Sequence, residues 1–140
     1  MILSEQDKDY YLKIAKAVSD KSTCFLYKEG AVLLNKEGTI ISSGYNGAVH
    51  GCVDCKANGI CTYELTTGNK SDCSQEQCEG LQAGIAAILA AKGNVTEDCT
   101  LVIWREDRAT GNTEEVTHNG VAARIIQACG IKNIVMSGNS

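Results

Sequence analysis

The feature that most constrains the fold of this chain is the order of its apolar segments, which switch between helical and strand periodicity. Apolar residues recur at helical spacing after Ser4, a helix-capping residue, and predict an amphipathic helix over residues 5–20. Two apolar segments, 30–35 and 39–44, flank the turn Lys36-Glu37-Gly38. This arrangement predicts two strands joined as a hairpin.

The second half of the chain alternates helix-like and strand-like segments. Residues 78–92 are rich in Ala, Ile and Leu and predict a helix that packs closely on a sheet. A strand over 100–104, a polar loop over 105–117, a helix over 119–129 and a strand over 132–136 follow. The order α-β-β-α-β-α-β predicts one α/β domain over the whole chain, with two or three layers.

Composition and charge narrow the classes of partner. The 140 residues are 44% hydrophobic, as in an ordinary globular domain, and the net charge is −4. A negative net charge disfavours binding to long nucleic acid, but one small nucleotide can still fit in a pocket. No apolar run reaches the roughly 18 residues of a membrane span, and the N-terminus lacks the pattern of a signal peptide. We therefore predict a cytoplasmic protein with no membrane partner.

The chain has eight cysteines, which is many for its length. In a reducing cytosol, metal ligation explains them better than disulfides do, although a secreted disulfide scaffold is the alternative. The polar stretch 46–77 is too long for a simple connector and needs something to order it. Within it, Cys52 and Cys55 have a spacing that suits a tetrahedral ion.

Three segments carry a family resemblance in their order and spacing. They are Ser22-Thr23-Cys24 followed by residues 30–34, then Gly44-Tyr45-Asn46-Gly47, and then residues 78–88, Cys-Glu-Gly-Leu-Gln-Ala-Gly-Ile-Ala-Ala-Ile. Together they resemble the deoxycytidylate (dCMP) deaminase family. The resemblance implies a three-layer α/β/α, cytidine deaminase-like fold with a mixed central sheet. It covers one domain, 1–140.

The catalytic residues of that family are replaced here. Zinc deaminases need three zinc ligands, an open coordination position and a Glu that shuttles protons. The sequence motif of these residues is His-x-Glu followed by Pro-Cys-x-x-Cys. On the family register, Gln82 replaces the His and Gly84 the Glu. Asn119 and Ala122 replace the two cysteines, and His118 stands at the proline. The resemblance therefore predicts a catalytically inactive relative, a pseudoenzyme, with no catalytic residues.

An enzyme remains the alternative. It is a divergent zinc-dependent (deoxy)cytidylate deaminase whose active site has been rebuilt from other residues. The metal-binding side chains available for such a centre are His118, Cys99 and Cys129. Against it, Cys129 falls about three turns beyond His118 along the same predicted helix.

A second, structural zinc is also implied by the resemblance. Several family members bind such a zinc through cysteines at the corresponding sequence positions. A zinc bound by thiolates can supply on the order of 10 kcal/mol toward ordering a long loop. The predicted ligands are Cys24, Cys55, Cys61 and Cys78, with Cys52 and Cys73 as possible substitutes.

The segment Tyr45-Asn46-Gly47 is the predicted nucleotide-binding element, because in the family it lines the pocket and its Asn reaches the sugar. Asn-Gly is also a common turn pair, so a simple turn is the alternative. The implied partners are a pyrimidine nucleotide, an active deaminase subunit or another protein. A further alternative is a pure interaction module without a small ligand. The superfamily commonly forms oligomers, so we expect a homo-oligomer.

Overall fold

The computed structural model describes residues 3–24, 26–48, 80–118 and 120–138 of the chain. The described part contains three helices and six strands, in the order α-β-β-β-β-α-β-α-β. The helices are α1 (Glu5–Ser19), α2 (Ala83–Ala90) and α3 (Gly120–Ala128). The strands are β1 (Tyr27–Leu34), β2 (Ile40–Tyr45), β3 (Gly47–Ala48), β4 (Gly80–Leu81), β5 (Thr100–Asp107) and β6 (Asn133–Met136).

The central sheet has four strands in the order β2-β1-β5-β6. Strands β1 and β2 are antiparallel, β1 and β5 are antiparallel, and β5 and β6 are parallel. The sheet is therefore mixed, as the sequence predicted. The short strands β3 and β4 pair with each other in a separate antiparallel ribbon.

Helices cover both faces of the sheet. Neighbouring residues of β1 and of β5 point to opposite faces, so each strand contributes to two cores. Leu33 and Leu101 belong to the core shared with α2 and α3. Val32 and Val102 belong to the core beneath α1. Strands buried on both faces read as continuous apolar runs, and the three-layer α/β/α prediction is confirmed.

Helix α2 lies very close to the sheet, as its alanines predicted. A Cβ at Gly44 of β2 would overlap the backbone of Ala87, so only glycine permits this approach. Ser42 donates a hydrogen bond of 2.7 Å to the carbonyl of Ala87. No helix in the described part of the chain is long and apolar enough to cross a membrane.

Several element boundaries differ from the sequence prediction. Strand β1 begins at Tyr27 instead of residue 30, and β5 continues to Asp107 instead of residue 104. The added residues are mostly charged, and the pairing of β1 with β5 carries them into the sheet. Residues 80–82 are not helical, because Gly80–Leu81 forms β4 against β3 and α2 begins at Ala83.

Candidate functional site

The start of α2 carries Gln82 and Gly84, the first two positions at which the sequence predicted replaced catalytic residues. Gln82 is the N-terminal cap residue of α2, is only 3% exposed, and makes no side-chain capping bond. Its amide nitrogen donates to the carbonyl of Thr117 at 2.9 Å. Gln82 therefore ties the start of α2 to the segment that precedes α3.

The second of these positions, Gly84, is closely surrounded by side chains of other segments. A Cβ built on Gly84 would lie 3.2 Å from Leu101 Cδ2, 3.3 Å from Ile103 Cδ1 and 3.5 Å from His118 Nε2. The first two distances are shorter than ordinary van der Waals contact, so even alanine would require its neighbours to shift. A larger side chain at position 84 would therefore have to displace Leu101 and Ile103.

His118 contributes to closing that position. Its Nε2 is buried and has no hydrogen-bond partner among the residues that the structure describes. Burial lowers the pKa of His118 below its ordinary value, and the positive charge of Arg105 lowers it further. At neutral pH the imidazole is therefore uncharged and packs as a largely apolar ring.

A buried ion pair lies next to the start of α2. Glu29 of β1 and Arg105 of β5 are direct cross-strand partners, and both are buried. Arg105 Nη1 lies 3.7 Å from Glu29 Oε2, while Glu29 Oε1 accepts a hydrogen bond of 3.2 Å from the backbone N–H of Ala83. The carboxylate thus contacts the positive end of the α2 dipole.

Arg105 has further partners that surround its guanidinium. Its Nε lies 3.4 Å from the half-exposed carboxylate of Glu114, and its Cζ lies 3.9 Å from the centre of the Tyr27 ring. Burial raises the pKa of Glu29, and the Arg105 charge and the Ala83 hydrogen bond only partly counter this. The charge of the buried Glu29 carboxylate is therefore only partly compensated by its partners.

Two further positions, Asn119 and Ala122, were predicted to replace the zinc cysteines of the family. Ala122 is buried in the core shared by α2 and α3, and Asn119 lies outside the described residues. The alternative metal centre does not form from His118, Cys99 and Cys129, because no group of three His, Cys, Asp or Glu side chains in the described ranges could hold an ion. The Cys99 thiol instead accepts a hydrogen bond of 3.4 Å from the backbone N–H of Thr96.

Among the predicted structural zinc ligands, the structure describes only Cys24. It is half-buried and lies between α1 and β1. The other predicted ligands and substitutes lie outside the described residues. They are Cys52, Cys55, Cys61, Cys73 and Cys78.

The predicted nucleotide-binding segment connects β2 to β3. Tyr45 is 42% exposed, whereas Asn46 is 2% exposed. The amide of Asn46 accepts from the backbone N–H of Glu29 at 2.8 Å and donates to the carbonyl of Tyr27 at 3.0 Å. Asn46 thus braces β1, so Tyr45 is the member of the segment whose side chain is available to a ligand.

Glu29 and Arg105 were not predicted as site residues from the sequence, although each has a recognisable sequence feature. Each is a charged residue immediately adjoining an apolar strand segment, 30–34 or 100–104. A charge at a strand end is usually solvated, so the signal became informative only with the strand pairing. Once β1 and β5 are aligned, the two residues are opposite each other and carry opposite charges.

Comparisons with known proteins give sequence similarity over part of the chain. No family profile matches it. The deoxycytidylate deaminase of Enterobacteria phage T4 is 46% identical over 57 residues, which are 41% of this chain and 26% of that protein. The deoxycytidylate deaminase of phage T2 is 52% identical over 44 residues, 31% of this chain and 23% of that protein. The chain thus spans about a quarter of these curated relatives.

Solved structures give similarity over nearly the whole chain. The dCMP deaminase of cyanophage S-TIM5 in complex with dCMP and dUMP has a TM-score of 0.62 and 22% identity, over 96% of this chain and 83% of that one. The apo form of the same enzyme has a TM-score of 0.60 and 21% identity, over 96% and 84%. The predicted cytidine deaminase-like fold is therefore confirmed.

The Glu29 network predicts a specific pH dependence of stability. Because the folded-state pKa of Glu29 is raised, the folded chain binds this proton more tightly than the unfolded chain does. The contribution of Glu29 to stability is thus fully present below its unfolded pKa and is lost as pH rises through its folded pKa. We expect the free energy of unfolding of wild type minus that of Glu29→Gln to fall as pH rises from about 4.3, measured by urea unfolding.

The matched control is Val32→Ala, a neutral truncation in the same strand. Its difference from wild type should not vary with pH over the same range. A Glu29→Gln difference that is equally flat, or that rises with pH, would contradict the proposed environment of the carboxylate.

Proposed function

We propose that this chain, a dCMP deaminase-like protein with a cytidine deaminase-like fold, is catalytically inactive, holds a structural zinc, and acts by binding a pyrimidine nucleotide or a protein partner. The packing around Gly84 carries the first part of the proposal. The family's mechanism needs a carboxylate that moves protons at this position. Here position 84 is a glycine, and Leu101 and Ile103 lie so close to it that a larger side chain would have to displace them.

The electrostatics of the same region support inactivity. A catalytic zinc brings two positive charges, which anionic or neutral ligands must hold. At this site the Arg105 guanidinium is a permanent cation, and its charge already acts on His118. The nearby carboxylates of Glu29 and Glu114 are engaged with Arg105. A metal would thus compete with Arg105 for the same acids.

The proposed structural zinc rests on the donor chemistry of the cysteines. Cys24 fits the role in this structure, because its half-buried thiol lies on a segment fixed by several hydrogen bonds. Its proposed co-ligands are Cys55, Cys61 and Cys78. When bound, the ion would tie this segment to the cysteine-rich stretch and so couple metal binding to folding.

The proposed nucleotide ligand rests on the fold and on Tyr45. The similarly folded cyanophage dCMP deaminase binds dCMP and dUMP. In this chain, Tyr45 exposes part of an aromatic ring at the end of β2. Such a ring can stack on a base.

The first test is deamination. We expect purified wild type to produce no dUMP from dCMP in the presence of zinc, because no proton-transferring carboxylate can act at position 84. The matched variant restores the family's residues with Gln82→His, Gly84→Glu, Asn119→Cys and Ala122→Cys, and adds His118→Pro to make space for the glutamate. Activity is measured as dUMP formation by chromatography.

Activity confined to the restored variant would support a pseudoenzyme that retains a substrate pocket. Reproducible formation of dUMP by the wild-type protein would refute the proposal of inactivity and favour the divergent deaminase. A variant that restores the four residues but keeps His118 should be less stable than one that also carries His118→Pro, because the imidazole lies at the place the glutamate must enter.

The second test is metal content. Protein purified without added metal should contain one zinc per chain, as measured by atomic emission. Cys24→Ser should lower this occupancy, whereas Cys99→Ser should not, because Cys99 is buried in the core and bonded to Thr96. Two zinc ions per chain would mean that a catalytic centre is present, and none would exclude the structural zinc.

The third test is nucleotide binding. A ligand that binds only the folded chain stabilises it by about 2.7 kcal/mol at a concentration one hundred times its Kd. We expect dCMP or dUMP to raise the unfolding temperature of wild type but not of Tyr45→Ala. Ile40→Ala is the matched control, since Ile40 is similarly exposed on the same strand. If no nucleotide stabilises wild type, a protein partner alone becomes the better proposal.

A further inference from the structure

Strand β6 lies at one edge of the central sheet, and its outer side has no partner strand among the described residues. The Ser137 N–H donates to the carbonyl of Ile103 in β5 at 2.9 Å. Because the backbone groups of successive strand residues alternate between the two sides of a strand, those of Val135 also face β5. The N–H and C=O groups of Ile134 and Met136 therefore point outward and are available to another strand.

The same stretch of β6 forms one wall of a groove. The other wall is the face of α1 that carries Glu5, Lys8, Asp9 and Leu12, and residues 134–136 complete the lining. The groove has a volume of about 340 Å³, which is within the range of ordinary ligand sites. The outward backbone groups of β6 and the side chains of α1 thus border one space.

The α1 wall of the groove carries more negative than positive charge. Glu5 and Asp9 are one helical turn apart and lie on the same face of α1. Lys8 Nζ lies 3.3 Å from Glu5 Oε1, so its charge is already engaged. Asp9 is exposed and has no ion-pair partner within the described ranges. The groove therefore favours a ligand that brings a cation to Asp9.

Strand β6 lacks the features that usually protect an exposed edge. Natural sheets place a lysine, a proline or a bulge in such strands to prevent the addition of another chain. The residues of β6 are Asn, Ile, Val and Met, and their parallel register with β5 is unbroken. Ile134 is 37% exposed. The edge is therefore regular, uncharged and partly apolar.

We propose that the outer edge of β6 and the adjoining groove bind an extended basic segment of a partner protein. The segment adds to the sheet as a further strand, bonds the backbone of Ile134 and Met136, and places a lysine or arginine against Asp9. The inference rests on the protein-partner part of the proposed function and adds the surface and the chemical class of the partner. A four-residue edge offers few main-chain bonds, so the charge contact contributes to affinity and selects the partner.

A second copy of this chain is disfavoured as the occupant by the same charges. A two-fold contact through β6 is isologous, so each copy would present the same groove to the other. The Glu5 and Asp9 carboxylates of both copies would then meet at one interface. Like charges brought together weaken an interface, whereas a basic segment complements the groove.

The experiment measures peptide binding to the full-length chain by fluorescence anisotropy. The probe is a fluorophore-labelled, capped peptide of alternating valine and lysine, which is extended and basic. The matched control peptide has glutamate in place of every lysine. We expect saturable binding of the lysine peptide, and binding of the glutamate peptide that is at least about 10-fold weaker, because its charges repel the groove.

Two pairs of variants test the two contacts separately. Ile134→Pro removes one outward N–H and leaves the bonds to β5, so we expect about 10-fold weaker binding of the lysine peptide. Ile134→Ala keeps that N–H and should bind within about 2-fold of wild type, because it removes only side-chain atoms at a partly exposed position. Asp9→Asn should weaken binding by about 2- to 5-fold. Asp7→Asn changes the net charge equally at an exposed position outside the groove, and should match wild type.

The unfolding temperature of each variant separates loss of the fold from loss of binding. If Ile134→Pro does not fold, the comparison of Asp9→Asn with Asp7→Asn at low and high salt decides the question. The difference between these two variants should shrink at high salt, since salt screens charges at the surface. Equal affinities of the two variants at low salt would overturn the inference.

Three further results would overturn it. The first is absence of binding of the lysine peptide, or equal binding of the glutamate peptide. The second is a wild-type dimer that Ile134→Pro converts to a monomer, as measured by sedimentation, because a second copy would then occupy the edge. The third is slow amide exchange of Ile134 and Met136 in the peptide-free monomer, because the chain itself would then cover the edge. None of these results bears on inactivity, zinc or nucleotide binding, which have tests of their own.

Discussion

The ion pair between Glu29 and Arg105 is the interaction on which the centre of this structure depends. It joins the two middle strands of the sheet, and through the N–H of Ala83 it also fixes the start of α2. Burying two charges costs several kcal/mol per ion unless each is compensated. Here Glu114 and the Tyr27 ring add to the compensation of Arg105. Removing either charge would leave the other buried with too few partners.

This pair also explains how the α2 end of the fold is stable without the residues that the related enzymes use there. The first N–H groups of a helix need acceptors, and its N-terminus favours negative charge. Gln82 supplies no capping bond, so the Glu29 carboxylate supplies an acceptor from the neighbouring strand. Gln82 is then available to bond Thr117 and hold the chain before α3.

Much of the fold followed from sequence periodicity, and the rest depended on contacts between distant residues. Every helix and every strand of four or more residues in the described chain was predicted, because each has its own apolar pattern. The ribbon of β3 and β4 was missed, since two-residue strands have no period. Glu29 and Arg105 were missed because their burial depends on which residues the strands pair. The replaced positions Gln82 and Gly84 needed only the family's motif.

The packing around Gly84 involves residues from three different segments of the chain. A glycine alone would leave space beside the start of α2. Instead Leu101, Ile103 and His118 lie close to the glycine, and the half-buried His118 is neutral beside Arg105. A neutral imidazole tolerates a nearby guanidinium, whereas an imidazolium would be repelled by it. The apolar closure and the fixed cation thus favour the same protonation state of His118.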